Sequence, residues 1–145
     1  IRLWRRTPFS ANAMPDTTRG TRIAHIGLAV TALDELLPFY RDVLGLPVVP
    51  LGDSDGARIA GLAAGESLVE LLEPEAPDTP IGKFLEKRGP GIHHVCFAVD
   101  DLEGTLARCV QAGIRLIDDV PRIGAEGKRI AFLHPKSTGG ILVES

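Results

Sequence analysis

The sequence predicts an α+β fold in which two tandem βαβββ modules join into one curved, mixed sheet shaped like a cup. Three observations carry this expectation. Residues 23–30 read IAHIGLAV and residues 92–99 read IHHVCFAV, so a histidine, His25 or His94, stands at the same place in each copy. Residues 58–62 (RIAGL) return as residues 129–133 (RIAFL), and each is followed by a Leu-Val-Glu that ends in Glu70 or Glu144. Between the paired segments, apolar period two gives way to a helical stripe in both halves. One module is written twice, with a histidine on its first strand and a glutamate on its last.

The elements follow in order. Residues 1–13 carry Arg2, Arg5 and Arg6, no acid and no hydrophobic periodicity, and Met14 then opens a short polar lead-in. Residues 1–21 are therefore set apart as a disordered N-terminal extension, upstream of a natural start or left from expression, with a fragment of an organelle targeting peptide as the rival reading. Residues 22–145 form a single domain, with modules at 22–73 and 91–145 and a linker at 74–90. On the first strand His25, Gly27 and Ala29 share one face and Ile26, Leu28 and Val30 the other. The second copy sets His94, Cys96 and Ala98 against Val95, Phe97 and Val99. The large face needs a helix against it, and the small face leaves room. By the same alternation His93 falls with Val95 and Phe97, as a packed or interface residue and not a ligand.

A helix follows each strand. In the first module Thr31 and Asp34 resemble a capping pair, Leu33, Leu36, Leu37, Tyr40 and Leu44 make the stripe, and Gly45 stops it. Pro38 predicts a kink or a later start. In the second, Asp100 or Asp101 caps, Leu102, Leu106, Cys109 and Val110 make the stripe, and Gly113 terminates. Further strands are expected at 47–51, 57–63 and 67–72, and at 115–118, 128–134 and 141–144. The Pro-rich linker should hold a short helix over 81–87.

The 145 residues suffice for one compact domain with a core. At 44% hydrophobic and 24% charged, composition is ordinary for a soluble globular chain. A net charge of −3 argues against a nucleic-acid or membrane-surface partner, and no apolar run approaches the roughly 20 residues of a membrane span. The two cysteines, Cys96 and Cys109, fall in one repeat and have no counterparts in the other. That disfavours a disulfide framework and makes a reducing cytoplasm the default.

If the modules pack about a pseudo-twofold axis, His25, Glu70, His94 and Glu144 converge in the cup. A single strand histidine is more often structural, and Glu144 alone could be a solvated carboxylate near the chain end. Duplication at matched positions on small-residue faces shifts the reading to a divalent metal site. Two imidazoles and two carboxylates, with no thiolate, suit an open, roughly octahedral Mn²⁺, Co²⁺, Ni²⁺, Fe²⁺ or Zn²⁺ centre that can take substrate directly. Cys96 faces the same side and is read as packing around the site.

The paired pattern resembles the vicinal oxygen chelate superfamily of glyoxalases, bleomycin-resistance proteins and dioxygenases. The resemblance runs from Ile23 to Ser145. Within the superfamily, the stretches Val69-Glu-Leu-Leu-Glu-Pro, Gly91-Ile-His-His and Leu133-His-Pro-Lys are most similar to the methylmalonyl-CoA epimerases. The resemblance implies an isomerase that interconverts 2R and 2S methylmalonyl-CoA through a metal-stabilised enolate, within propionyl-CoA metabolism. It implies His25, Glu70, His94 and Glu144 as ligands, Glu144 also as the base, an acyl-CoA substrate and a homodimer. Some members carry a second acid on the strand matching 57–63. No carboxylate stands between Ala57 and Gly65 here, so the reprotonating acid is left open between Glu70 and a water. Lys83, Lys87, Arg88, Lys128, Arg129 and Lys136 are candidates to meet coenzyme A phosphates, although each reads first as a solvated charge. His134 and Lys136, on the Pro-Gly turn, are candidate substrate neighbours. The alternatives are a glyoxalase I-type lyase acting on a thiol–ketoaldehyde adduct and a non-catalytic small-molecule-binding member. An extradiol dioxygenase would need only one carboxylate and leave Glu70 surplus.

Overall fold

The computed structural model describes residues 20–139 and the backbone of residues 142–144. The extension at 1–21 lies almost wholly outside the described residues, as does the Glu144 side chain. Strands are β1 (Arg22–Ala29), β2 (Val48–Val49), β3 (Ala57–Ala64), β4 (Ser67–Pro74), β5 (Gly91–Ala98), β6 (Arg122–Ile123), β7 (Arg129–Ile130), β8 (Phe132–Leu133) and β9 (Leu142–Glu144). Seven of them form one sheet in the order β2-β3-β4-β1-β5-β9-β8, and β6 pairs with β7 apart from it.

The order is a palindrome of roles. β1 runs parallel to β4, the last strand of its own module, and β5 runs parallel to β9, the last strand of its module. The two first strands then meet antiparallel at the centre. A parallel pair needs a long crossover, and each module supplies one as a helix followed by shorter strands. The predicted α+β architecture is present, with the pseudo-twofold axis running through the β1–β5 seam.

Helix α1 (Leu33–Pro38) follows β1, and a π-helical turn (Phe39–Val43) continues from it. Proline has no N–H to give the ladder, and the widening from Phe39 onwards absorbs that loss. The kink expected at Pro38 thus takes the form of a change in helix type. The capping expectation is corrected here. Ala32 is the N-cap residue and its side chain makes no cap bond; the Leu33 N–H donates to Glu73 Oε2 at 3.3 Å, so an orphan amide is satisfied from the end of β4 in the same module. Helix α3 (Leu102–Gln111) is capped by Asp101, whose side chain accepts from the Gly104 N–H, and Gly113 beyond its end takes a left-handed φ of 75°. In the linker, α2 (Pro80–Arg88) has Thr79 as N-cap and proline at its first position.

The second module departs from expectation in its middle strands. Residues 115–118 form only an isolated bridge, Leu116 to Leu133. The predicted strand at 128–134 is split into β7 and β8, because β7 turns away to pair with β6. The module therefore gives three strands to the main sheet where the first gives four.

Apolar packing separates two sides. Val30, Leu33, Leu62 and Leu71 make a buried cluster on the helix side, with Leu37 and Tyr40 against it. On the cup side Ala29, Ala57, Leu72 and Ile81 close one end, with Phe84 and Leu85 of α2 packed over them. In the second module Leu106 of α3 packs on Ala131 and Leu133. Leu62 is fully buried. Leu62→Ala should cost about 2–5 kcal/mol of stability, read from urea denaturation. Among the described residues no helix is long and apolar enough to cross a membrane.

Candidate metal centre and substrate cavity

His25, Gly27 and Ala29 are buried on the cup side of β1, and His94 and Cys96 on that of β5. Their aim depends on two irregularities in the seam. Between Ile23 and His25 the pairing advances two residues on β1 for one on β5, so Ala24 is the extra residue. Between Gly27 and Leu28 the reverse holds, and His93 is extra on β5. Ala24 and His93 occupy the same position of the repeat, one residue before His25 and His94. A bulge bends the strand and re-aims the neighbouring side chain, and here the same device acts twice.

The bulge corrects the reading of His93. Strict alternation set it with Val95 and Phe97. In the structure its Nδ1 lies 2.9 Å from His94 Nδ1, and its ring packs edge-on against Phe84 with centroids 5.0 Å apart. It is a packed residue, as expected, but it backs the second histidine.

His25 Nε2 lies 2.9 Å from His94 Nε2 and 3.2 Å from Glu70 Oε2, with the two rings nearly perpendicular at 87°. All three residues are at most 5% exposed. Donor atoms of His25, Glu70 and His94 lie within 4.8 Å of one another, a group that could hold a metal ion. Neighbouring ligands on an octahedral ion with bonds of 2.0–2.2 Å stand about 3.0 Å apart. The two observed separations bracket that value, and two imidazoles with a carboxylate suit Mn²⁺, Co²⁺, Ni²⁺, Fe²⁺ or Zn²⁺. The donor set fits a divalent ion.

Glu70 sits in register with Gly27. Gly27 is required by the second histidine, because a Cβ there would stand 2.3 Å from His94 Cε1 and 2.5 Å from its Nδ1. The fourth predicted residue, Glu144, is described by its backbone alone. Its register partner on β5 is Cys96, which holds the repeat position of Gly27. The backbone therefore places Glu144 as the pseudo-symmetric counterpart of Glu70.

His25, Glu70 and His94 line a cavity of about 280 Å³. Its walls include Ile59, Ile81, Cys96 and Phe132, with Lys128 and Arg129 also at its edge. Ile59 stands on the strand that was noted as lacking a carboxylate. Of the other cations singled out, Lys83, Lys87 and Arg88 line a separate groove with His134, and Lys136 lines neither.

A clasp spans the modules beside the cavity. Arg122 Nη1 donates to both carboxylate oxygens of Asp55 at 3.1 Å, and its Nε lies 3.4 Å from Asp118 Oδ1. Its guanidinium carbon is 5.4 Å from the Phe132 ring centroid, and Phe132 in turn stacks edge-on against His94. Burial pulls the Arg122 pKa down, but Asp55 and Asp118 outweigh it and hold the group above its ordinary value.

One residue that the sequence reading missed also reaches the centre. Glu126 Oε2 lies 2.7 Å from His25 Nδ1, the ring nitrogen opposite the one that faces His94. A signal existed. Asp55-Gly56-Ala57-Arg58 matches Glu126-Gly127-Lys128-Arg129 immediately before the repeated Ile-Ala, and both glycines have left-handed φ values, 73° and 72°.

Residues 22–145 match the family model of the Glyoxalase/Bleomycin resistance protein/Dioxygenase superfamily. The chain belongs to that superfamily. Among its relatives the mouse mitochondrial methylmalonyl-CoA epimerase is 42% identical over 127 residues, covering 85% of this chain and 71% of its own. A solved methylmalonyl-CoA epimerase in complex with methylmalonyl-CoA and NH4+ is 40% identical, with a TM-score of 0.82 over 87% of this chain and 93% of that one. A Streptomyces coelicolor methylmalonyl-CoA epimerase variant in complex with 2-nitronate-propionyl-CoA matches equally, at 40% identity, a TM-score of 0.82 and the same coverage.

Proposed function

We infer that this chain is an isomerase that interconverts the 2R and 2S epimers of methylmalonyl-CoA. The observation that carries the reading is the buried His25–Glu70–His94 cluster on the wall of a partly apolar cavity, in a chain similar throughout to epimerases, one of them bound to methylmalonyl-CoA. His25, Glu70, His94 and Glu144 are proposed to hold one divalent ion. That ion would draw charge from the thioester and carboxylate oxygens of the substrate and so ease loss of the C2 proton.

The chain's own residues do the rest. The apolar wall of Ile59, Ile81 and Phe132 excludes water around the methyl-bearing carbon, which strengthens every charge interaction there. Glu144 is proposed to take the C2 proton, since its backbone is in register with Cys96, which lines the cavity. With no carboxylate between Ala57 and Gly65, the return of a proton to the opposite face is proposed to fall to Glu70 or a water. The coenzyme A arm carries phosphates, for which Lys128 and Arg129 at the cavity edge are the nearer candidates. The chain is further proposed to act as a homodimer, which light scattering in solution would test. Cys96 and Cys109 form no disulfide, which suits the proposal of a reducing compartment such as the cytoplasm.

The test is deuterium uptake at C2 of methylmalonyl-CoA in D₂O, followed by mass spectrometry with and without a chelator. Rapid uptake that disappears on metal removal and returns with Co²⁺ is the expected result. No uptake above background by the metal-loaded protein would overturn the reading and direct attention to glutathione hemithioacetals, and a protein that neither binds metal nor responds to chelator would favour a binding role.

A further inference from the structure

We propose that Glu126 is a positioning residue for the first metal ligand, held in place by the opposite module. The inference rests on the reading of His25, Glu70 and His94 as ligands. Glu126 occupies the tight turn between β6 and β7, closed by the Gly124 N–H to the Lys128 carbonyl at 2.9 Å and the Gly127 N–H to the Gly124 carbonyl at 3.0 Å. Its side chain is 19% exposed, and its carboxylate accepts from His25 Nδ1 at 2.7 Å. That length is typical of a hydrogen bond to a charged acceptor.

An imidazole can offer a lone pair at one nitrogen only if the proton sits on the other. A carboxylate on Nδ1 fixes the proton there and leaves Nε2 bare. His25 Nε2 is the atom that faces His94 Nε2 and Glu70 Oε2. The hydrogen bond also locks the ring against rotation and makes Nε2 a stronger donor, and loss of such an outer partner typically weakens metal binding 10–100-fold.

The arrangement is asymmetric in a way the repeat alone would not predict. Asp55 holds the repeat position of Glu126, yet it is committed to Arg122. His94 is backed instead by the imidazole of His93 and not by a carboxylate. Each acid crosses the seam, but only the longer one reaches a histidine.

Co²⁺ titration by calorimetry and by its visible absorption tests the proposal on the metal-free wild type, Glu126→Ala and Glu126→Gln. Glu126→Ala should bind Co²⁺ 10–100-fold more weakly, with an altered absorption band. Glu126→Gln, whose amide oxygen still accepts from Nδ1, should recover part of that loss. Circular dichroism and thermal midpoints of the metal-free proteins report folding, and Glu126→Gln keeps the test open should the alanine variant fold poorly. If wild type binds no Co²⁺, the metal reading itself fails. If wild type binds and both variants bind equally well with the same spectrum, the positioning role is wrong while the metal site stands.

Discussion

Glu144→Gln should abolish C2 exchange, lowering the rate by roughly 10²–10⁴-fold, the usual contribution of a placed general base. The substitution keeps the shape of the side chain and one oxygen for the ion, and removes the basicity. The expectation comes from the backbone. Glu144 pairs with Cys96 as Glu70 pairs with Gly27, so the two glutamates hold equivalent register positions on β9 and β4, the strands that flank the β1–β5 seam. If both were only ligands, neutralising one would lower metal occupancy, and saturating metal would restore the rate. If Glu144 is also the base, exchange stays lost with the site fully loaded. Measuring Co²⁺ content beside the rate separates the two, and a loaded Glu144→Gln protein that exchanges like wild type would refute the assignment.

Gly27→Ala is expected to dismantle the centre with one added carbon. Its Cβ would stand 2.3, 2.5 and 2.9 Å from three atoms of the His94 ring. Separations that short force a shift, and the ring is confined by His25, His93 and Phe132 around it. Swinging His94 aside removes its Nε2 from the cluster. Co²⁺ affinity should fall by more than the roughly 10–100-fold that follows from losing an outer partner, and overpacking should cost about 1–3 kcal/mol in stability. Gly91→Ala is the control, since a Cβ at that position on the same seam meets nothing within 4 Å. Wild-type metal affinity in Gly27→Ala would show that the ring does not need the space glycine leaves.

The parts written twice were the legible parts. His25 and His94 could be paired because the copies align around them, and Glu70 followed from the repeated Leu-Val-Glu. Burial of all three on one face agrees with period-two alternation up to the bulges. The bulges are where the sequence reading failed, since an extra residue in one strand leaves no mark in composition and puts His93 on a side that counting denies it. The strand expected at 115–118 is cut short for a different reason. Residues 115–117 do bond to 132–134, through the Ile117 N–H to the Phe132 carbonyl and the His134 N–H to the Arg115 carbonyl, but β7 pairs with β6 beyond that point and leaves a single bridge. Glu126 was not legible because it stands three residues before the repeated Arg-Ile-Ala, in a turn whose two copies share only an acid followed by glycine. Pro38 was read correctly as a disturbance, and only packing could decide that it would widen the helix and not break it.

The two bulges also make register a joint property of the halves. Each lies one residue before its histidine, at equivalent points of the duplicated segment. Deleting Ala24 alone would restore regular pairing at one end of the seam and leave the other end bulged, so the two histidines would no longer be presented alike.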